Sequence, residues 1–384
     1  MHHKTFFFLI CGTIFLFFIE CKVKKEKENH LIQIDVSVSY PWKEIYLEEI
    51  ADIEYLQIEF NDEFLFNEPP ESITDDKMMI HQLNGDVFVF SRAGKPLLKF
   101  NHTGNGPGEY ASITGKCIYD ETRDEIYVRT FNKLMVYSLS GQFSREIPLL
   151  ESEGAFISII VNYDSEMLLL HDDNNVYPAP FTLISKQDGS VVETVNMPEF
   201  KKSDLSVFVA ESESGARFSF KPPLTNILRY NGGYLLSDFS NDTIYFFSRE
   251  KELLPMLVRK PKVHSMNPII TLHGFVEGGS YDFFFTTKVQ LENGRLPRKY
   301  LMRDQQTGAV YMPKISLNDY KGKLVEISPF TILNSSNSKL GFILLSLFEL
   351  KEANCENRLS GRLKELVDNS DEDGNDIYMF IHFK

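Results

Sequence analysis

His171-Asp172-Asp173-Asn174-Asn175 sets an imidazole beside two carboxylates. His171, Asp172 and Asp173 could together ligate a divalent ion. The same run is rich in turn formers and reads as a solvated loop after a strand, which is the preferred reading. A second acidic stretch, Asn369-Ser370-Asp371-Glu372-Asp373-Gly374, imitates the start of a calcium loop. Such a loop needs a bidentate Glu at its twelfth position, and counting from Asn369 that position is Phe380, so the motif fails. The nine histidines form no H-E-x-x-H, and no G-x-S-x-G elbow occurs. No catalytic residue is assigned, and an enzyme is the less favoured class.

The third candidate is the block Gly104-Asn105-Gly106-Pro107-Gly108-Glu109-Tyr110. Alternating glycines invite a phosphate-loop reading. That loop requires G-x-x-x-x-G-K-[ST] opening a helix. Here Glu109 and Tyr110 follow the last glycine, and Gly115 to Asp120 read as strand. A carboxylate at Glu109 would repel phosphate. Gly104, Gly106, Pro107, Gly108, Glu109 and Tyr110 are therefore read as a structural turn, since glycine reaches positive φ and proline fixes its own.

These residues must be positioned by strands. Short apolar or alternating runs are separated by turn signals along most of the chain, as at Asn84-Gly85, Ser140-Gly141, Asp188-Gly189 and Asn231-Gly232-Gly233. The cycle returns at intervals of roughly 45–60 residues, mostly with four strands each. Radial repetition of four-stranded sheets is how a β-propeller avoids exposed sheet edges. The expected fold is all-β: a six-bladed propeller of four-stranded antiparallel blades over residues 51–384. The last cycle shows only three strands, Glu326 to Asn334, Lys339 to Leu347 and Ile377 to Phe383. The alternating run Ile53 to Phe60 is available to close it. Phe348 to Asp368, with Leu359, Leu363 and Leu366 at helical spacing, predicts a short helical insert near the C-terminus.

The chain of 384 residues carries a net charge of −14, which argues against a polyanion such as nucleic acid as partner. Phe6 to Ile19 is almost wholly apolar and follows Lys4. It fits a signal-peptide core and falls short of the roughly 20 residues that span a membrane. Residues 1–21 are read as a leader and 22–50 as tether and lead-in. Beyond the leader, Cys117 and Cys355 lie far apart with no C-x-x-C spacing. Two buried free thiols are expected, and no cofactor is indicated apart from a divalent cation at His171 to Asp173.

An apolar run ending in Cys21 and then the charged Lys22-Val23-Lys24-Lys25-Glu26 resembles a bacterial lipoprotein signal. An ordinary secretory signal and an uncleaved short anchor are the alternatives. The body resembles the six-bladed, NHL-like propeller lipoproteins of Bacteroidales cell envelopes. The residues that carry this are Asp52-Ile53-Glu54-Tyr55-Leu56, the Gly104 to Tyr110 block, Ser240-Asn241-Asp242-Thr243-Ile244-Tyr245, Asp304 to Gly308 and Asp376 to Ile381. The resemblance implies lipidation at Cys21 and an anchored position in the cell envelope, periplasmic or at the surface, on the outer membrane. It implies no agreed activity. The expectation is a binding or scaffolding module for a protein, peptide or glycan. The alternative is a metal-dependent hydrolase or lactonase in the central channel, marked by acidic and amide residues converging on the axis.

Overall fold

The computed structural model describes residues 31–384 apart from 59–62, 65, 67, 150–156, 174–176, 204–206, 212–214, 216, 221–225, 333–334 and 372–373. The leader, Cys21 and the tether through His30 lie outside the described residues, as do Asn174 and Asn175. Among the described residues no helix is long and apolar enough to cross a membrane.

Residues 31–50, expected as the end of a lead-in, hold two strands, β1 (Ile32–Asp35) and β2 (Trp42–Tyr46), and a single helical turn, α1 (Leu47–Ile50). Strand β3 (Ala51–Gln57) follows. The first four-stranded antiparallel sheet comprises β4 (Ser72–Ile73), β5 (Lys77–His81), β6 (Val87–Ser91) and β7 (Pro96–Phe100). The second is β8 (Ile118–Asp120), β9 (Glu125–Arg129), β10 (Lys133–Ser138) and β11 (Phe143–Pro148). The third is β12 (Ile157–Asn162), β13 (Met167–Asp172), β14 (Phe181–Ser185) and β15 (Val191–Thr194). A separate hairpin, β16 (Val207–Glu211) and β17 (Arg217–Phe220), precedes the fourth sheet. That sheet holds β18 (Ile227–Tyr230), β19 (Gly233–Leu236), β20 (Thr243–Phe247) and β21 (Leu253–Lys260), and β1 pairs parallel to β21. The fifth holds β22 (Ile270–Gly278), β23 (Tyr281–Lys288), β24 (Arg298–Asp304) and β25 (Val310–Ser316). There β2 pairs parallel to β25, as β26 (Leu324–Val325) does antiparallel.

The last cycle departs from expectation. Glu326 to Asn334 is not a strand; its described part contains the helical turn α2 (Pro329–Ile332). The sheet there has three strands, β27 (Leu340–Leu345), β28 (Ile377–Phe383) and β3, with β3 antiparallel to β28 from Gln57 opposite Ile377 to Ala51 opposite Phe383. Five blades are four-stranded, where six were expected. The insert between β27 and β28 is two helices, α3 (Leu347–Cys355) and α4 (Gly361–Asp368), broken at Asn357, whose φ is +56°.

The arrangement follows from two-residue alternation. In β10, Leu134 and Val136 pack with the third sheet's Leu168 and Leu170, while Met135 and Tyr137 pack with the first sheet's Val87 and Val89. In β13, Leu169 turns instead to Leu236 and Phe247 of the fourth sheet. In β28, Ile377, Met379 and Ile381 join a core with the fourth and fifth sheets, while Tyr378 and Phe380 meet Phe88 and Phe90 of the first. Both faces of each middle strand are therefore buried, which is why these strands read as unbroken apolar runs. Each sheet shares a core with the next, and the last sheet shares one with the first.

Candidate functional site

The innermost strands of the first four sheets open onto one cavity. Ser72, Ile118, Ile160, Ile227 and Ser335 line its narrow part, of 90 Å³. Beside it lies a wider mouth of 560 Å³ bordered by Asp75, Glu121, Asn162, Asp164, Arg229 and Arg249. Tyr119, Asn162 and Arg229 border both parts. Ser335 bridges Ile73 of the first sheet, and α2 packs against β18 and β22, so this segment occupies the inner side of the last cycle.

The mouth is strongly polar, and its carboxylates are largely committed. Asp120, at the end of β8, is buried against the Lys186 ammonium, which has no solvent exposure. Asp120 Oδ1 also accepts from the Thr122 amide at 3.0 Å and hydroxyl at 2.7 Å. Lys186 Nζ donates further to the Asp164 carbonyl at 2.5 Å. Burial pulls the Lys186 ammonium below the usual lysine range, and its hydrogen bond to Asp120 opposes this. Asp164 Oδ1 accepts the backbone amides of Glu166 and Met167, each at 2.8 Å, and Glu121 accepts from the Ser336 hydroxyl at 3.0 Å. Also on the lining, Arg249 Nε donates to the Gly232 carbonyl at 2.7 Å, and the Arg229 guanidinium lies 5.1 Å from the Tyr234 ring centre. Neither guanidinium has an ion pair with a carboxylate among the described residues.

At the end of β13, His171 Nδ1 lies 3.6 Å from Asp173 Oδ1. His171 and Asp172 are buried at the end of β13. His171 packs on Phe181, with the Asn226 amide nitrogen 2.7 Å from its Nδ1, and Asp172 Oδ2 accepts the Tyr177 amide at 2.8 Å. Among the described residues these three do not bring three ligand atoms together. One trio does: Glu71, His81 and Cys117. Glu71 precedes β4, His81 ends β5 and Cys117 precedes β8; Glu71 Oε2 lies 2.6 Å from His81 Nδ1 and accepts the Cys117 amide at 2.8 Å. Burial pushes the Cys117 thiol well up. Cys117 is a buried free thiol as expected, whereas Cys355 is exposed at the end of α3. No spacing in the sequence signals either the trio or the Asp120–Lys186 pair, since their members come from different strands.

The Gly104 to Tyr110 block crosses from β7 to β8, away from the cavity. Its backbone folds on itself, with the Gly104 amide donating to the Tyr110 carbonyl at 3.0 Å and the Tyr110 amide to the His102 carbonyl at 2.9 Å. The buried Tyr110 hydroxyl donates to the Gly85 carbonyl at 2.7 Å, and Tyr137 donates to the Gly108 carbonyl at 2.9 Å. Glu109 Oε2 accepts the Gly106 amide at 2.7 Å, so its carboxylate closes the turn. Gly108 has φ +76°, and a Cβ there would stand 2.7 Å from the Phe143 ring.

No curated protein matches the chain. Among solved structures, a "Putative exported protein" (BF0058) from Bacteroides fragilis NCTC 9343 is similar at 16% identity and a TM-score of 0.64, covering 92% of this chain and 99% of that one. A member of the duf4221 family from Bacteroides vulgatus matches at 11% identity and a TM-score of 0.46, over 88% of this chain and 98% of its own. The first of these likenesses extends to the fold. The profile described as Domain of unknown function (DUF4934) matches residues 31–382, and the chain belongs to that family.

Proposed function

We propose that this protein is an exported β-propeller that binds a polar ligand, the end of a peptide or a glycan, at the channel mouth. The observation that carries this reading is the 560 Å³ mouth where four blades converge, bordered by carboxylates and by Arg229 and Arg249. A volume of that order suits a small ligand or a chain end, and the lining suits a polar one. Tyr119 and Tyr163 add ring faces beside the charged groups. In this reading the three-stranded sheet serves as a sixth blade, with α2 and Ser335 in place of its innermost strand. The leader directs export, and Cys21, once lipidated, tethers the propeller to the outer membrane of the cell envelope.

The converging acids and amides also invite the hydrolase reading. Asp120, Glu121 and Asp164 are instead engaged in hydrogen bonds within the protein, which favours binding over catalysis. The test is a peptide and glycan array probed with the full chain and with the Arg229→Ala/Arg249→Ala double variant. The expected result is a polar ligand whose binding the double variant loses while its fold, by circular dichroism, is kept. A ligand bound equally by both proteins, or turnover of a bound glycan or ester, would overturn the reading.

A further inference from the structure

We infer that Glu71, His81 and Cys117 form a divalent transition-metal site, of zinc type, in the wall of the channel between the first and second blades. The carboxylate oxygen, ring nitrogen and sulfur of these residues all lie within 4.8 Å of one another, and no other described residues form such a trio. One feature beyond the trio itself points to a ligand. His81 Nδ1 is buried and lacks a hydrogen-bond partner, although Glu71 Oε2 is only 2.6 Å away, because the contact is not aligned as a hydrogen bond. An imidazole nitrogen and a carboxylate oxygen held together off-axis suit a shared cation. The backbone that carries them is held by the blades: the Glu71 amide donates to the Met79 carbonyl, and the Thr114 amide to the Arg129 carbonyl.

The donor set selects the metal. One thiolate, one imidazole and one carboxylate match a borderline ion such as Zn²⁺, whereas Ca²⁺ and Mg²⁺ take oxygen ligands. Bond lengths of about 2.0–2.3 Å place tetrahedral ligand atoms roughly 3.3–3.7 Å apart. Three protein ligands leave a fourth position, and Glu71 and Cys117 both face the 90 Å³ part of the channel, which has room for a water or a ligand atom. The ion would join the first blade to the second, and this holds whichever ligand the mouth takes.

The full chain, purified from detergent extracts, tests this by elemental analysis, zinc competition titration and cobalt substitution. The expected result is one zinc per chain, and a thiolate-to-cobalt charge-transfer band that Cys117→Ser abolishes. Zinc affinity should fall by more than about 100-fold in Cys117→Ser and His81→Gln, beyond the 10–100-fold typical of losing an outer-sphere partner. Cys355→Ser, at the exposed cysteine, should change neither readout. If Cys117→Ser does not fold, His81→Gln and Glu71→Gln decide the matter by affinity alone. Absence of stoichiometric metal after zinc loading, or wild-type affinity in the variants that fold, would overturn the assignment.

Discussion

Replacing Lys186 by methionine should destabilise the propeller by about 3–5 kcal/mol, the cost of leaving a buried charge without its partner. Lys186 has no exposed surface and Asp120 is 2% exposed, so solvent cannot screen the pair or rehydrate the survivor. In Lys186→Met the Asp120 carboxylate keeps only Thr122 as donor among its described partners. In Asp120→Asn the ammonium can escape by shedding its proton. An ordinary lysine pKa of about 10.4 sets the cost of that at neutral pH at roughly 5 kcal/mol, an upper limit. With an unfolding entropy of about 2.1 cal/mol/K per residue over about 350 residues, a loss of 3–5 kcal/mol lowers Tm by roughly 4–7 °C. The double variant Asp120→Asn/Lys186→Met removes both charges and should recover most of the loss. Urea unfolding of the four proteins, analysed as a double-mutant cycle, measures the coupling. A loss below about 1 kcal/mol in Lys186→Met would mean that the pair behaves as a hydrated surface pair, and the reasoning from burial would be refuted.

His273 is buried between Phe239 and Phe285, its Nε2 within 3.0–3.1 Å of the Thr271 and Thr287 hydroxyls, and burial, aided by Arg298, pulls its pKa down to about 3. The unfolded chain takes up that proton near pH 6.5 and the fold does not, so stability should fall by about 1.4 kcal/mol per pH unit between roughly pH 6.5 and 3. Above pH 6.5 the effect vanishes, and His273→Gln should remove this slope from denaturation midpoints measured across that window. Gly108→Ala combines a left-handed backbone, costing about 1–2 kcal/mol, with a clash on Phe143, so its loss should exceed 2 kcal/mol by thermal unfolding. Tyr110→Phe leaves the Gly85 carbonyl and the His102 amide short of a partner and should cost about 1–3 kcal/mol; no change would show that water replaces the hydroxyl.

Local chemistry made much of the fold legible. Short apolar runs and glycine or asparagine turns are properties of neighbouring residues, so strands such as Val87–Ser91, Lys133–Ser138 and Phe181–Ser185 could be read directly, to within a residue at their ends. The Gly104 to Tyr110 turn was legible because Gly108 needs a left-handed φ and has no room for a side chain. The use of β3 to complete the last sheet followed from counting strands. Tertiary structure decided the rest. Ile32–Asp35 and Trp42–Tyr46 are short, and only the open edges of β21 and β25 make strands of them. Pro329–Ile332 reads as part of an extended run, yet it turns helical against β18 and β22. The channel groups were hidden for the same reason. Glu71 and Cys117 are 46 residues apart and Asp120 and Lys186 are 66, and their contacts exist only once neighbouring blades pack against one another.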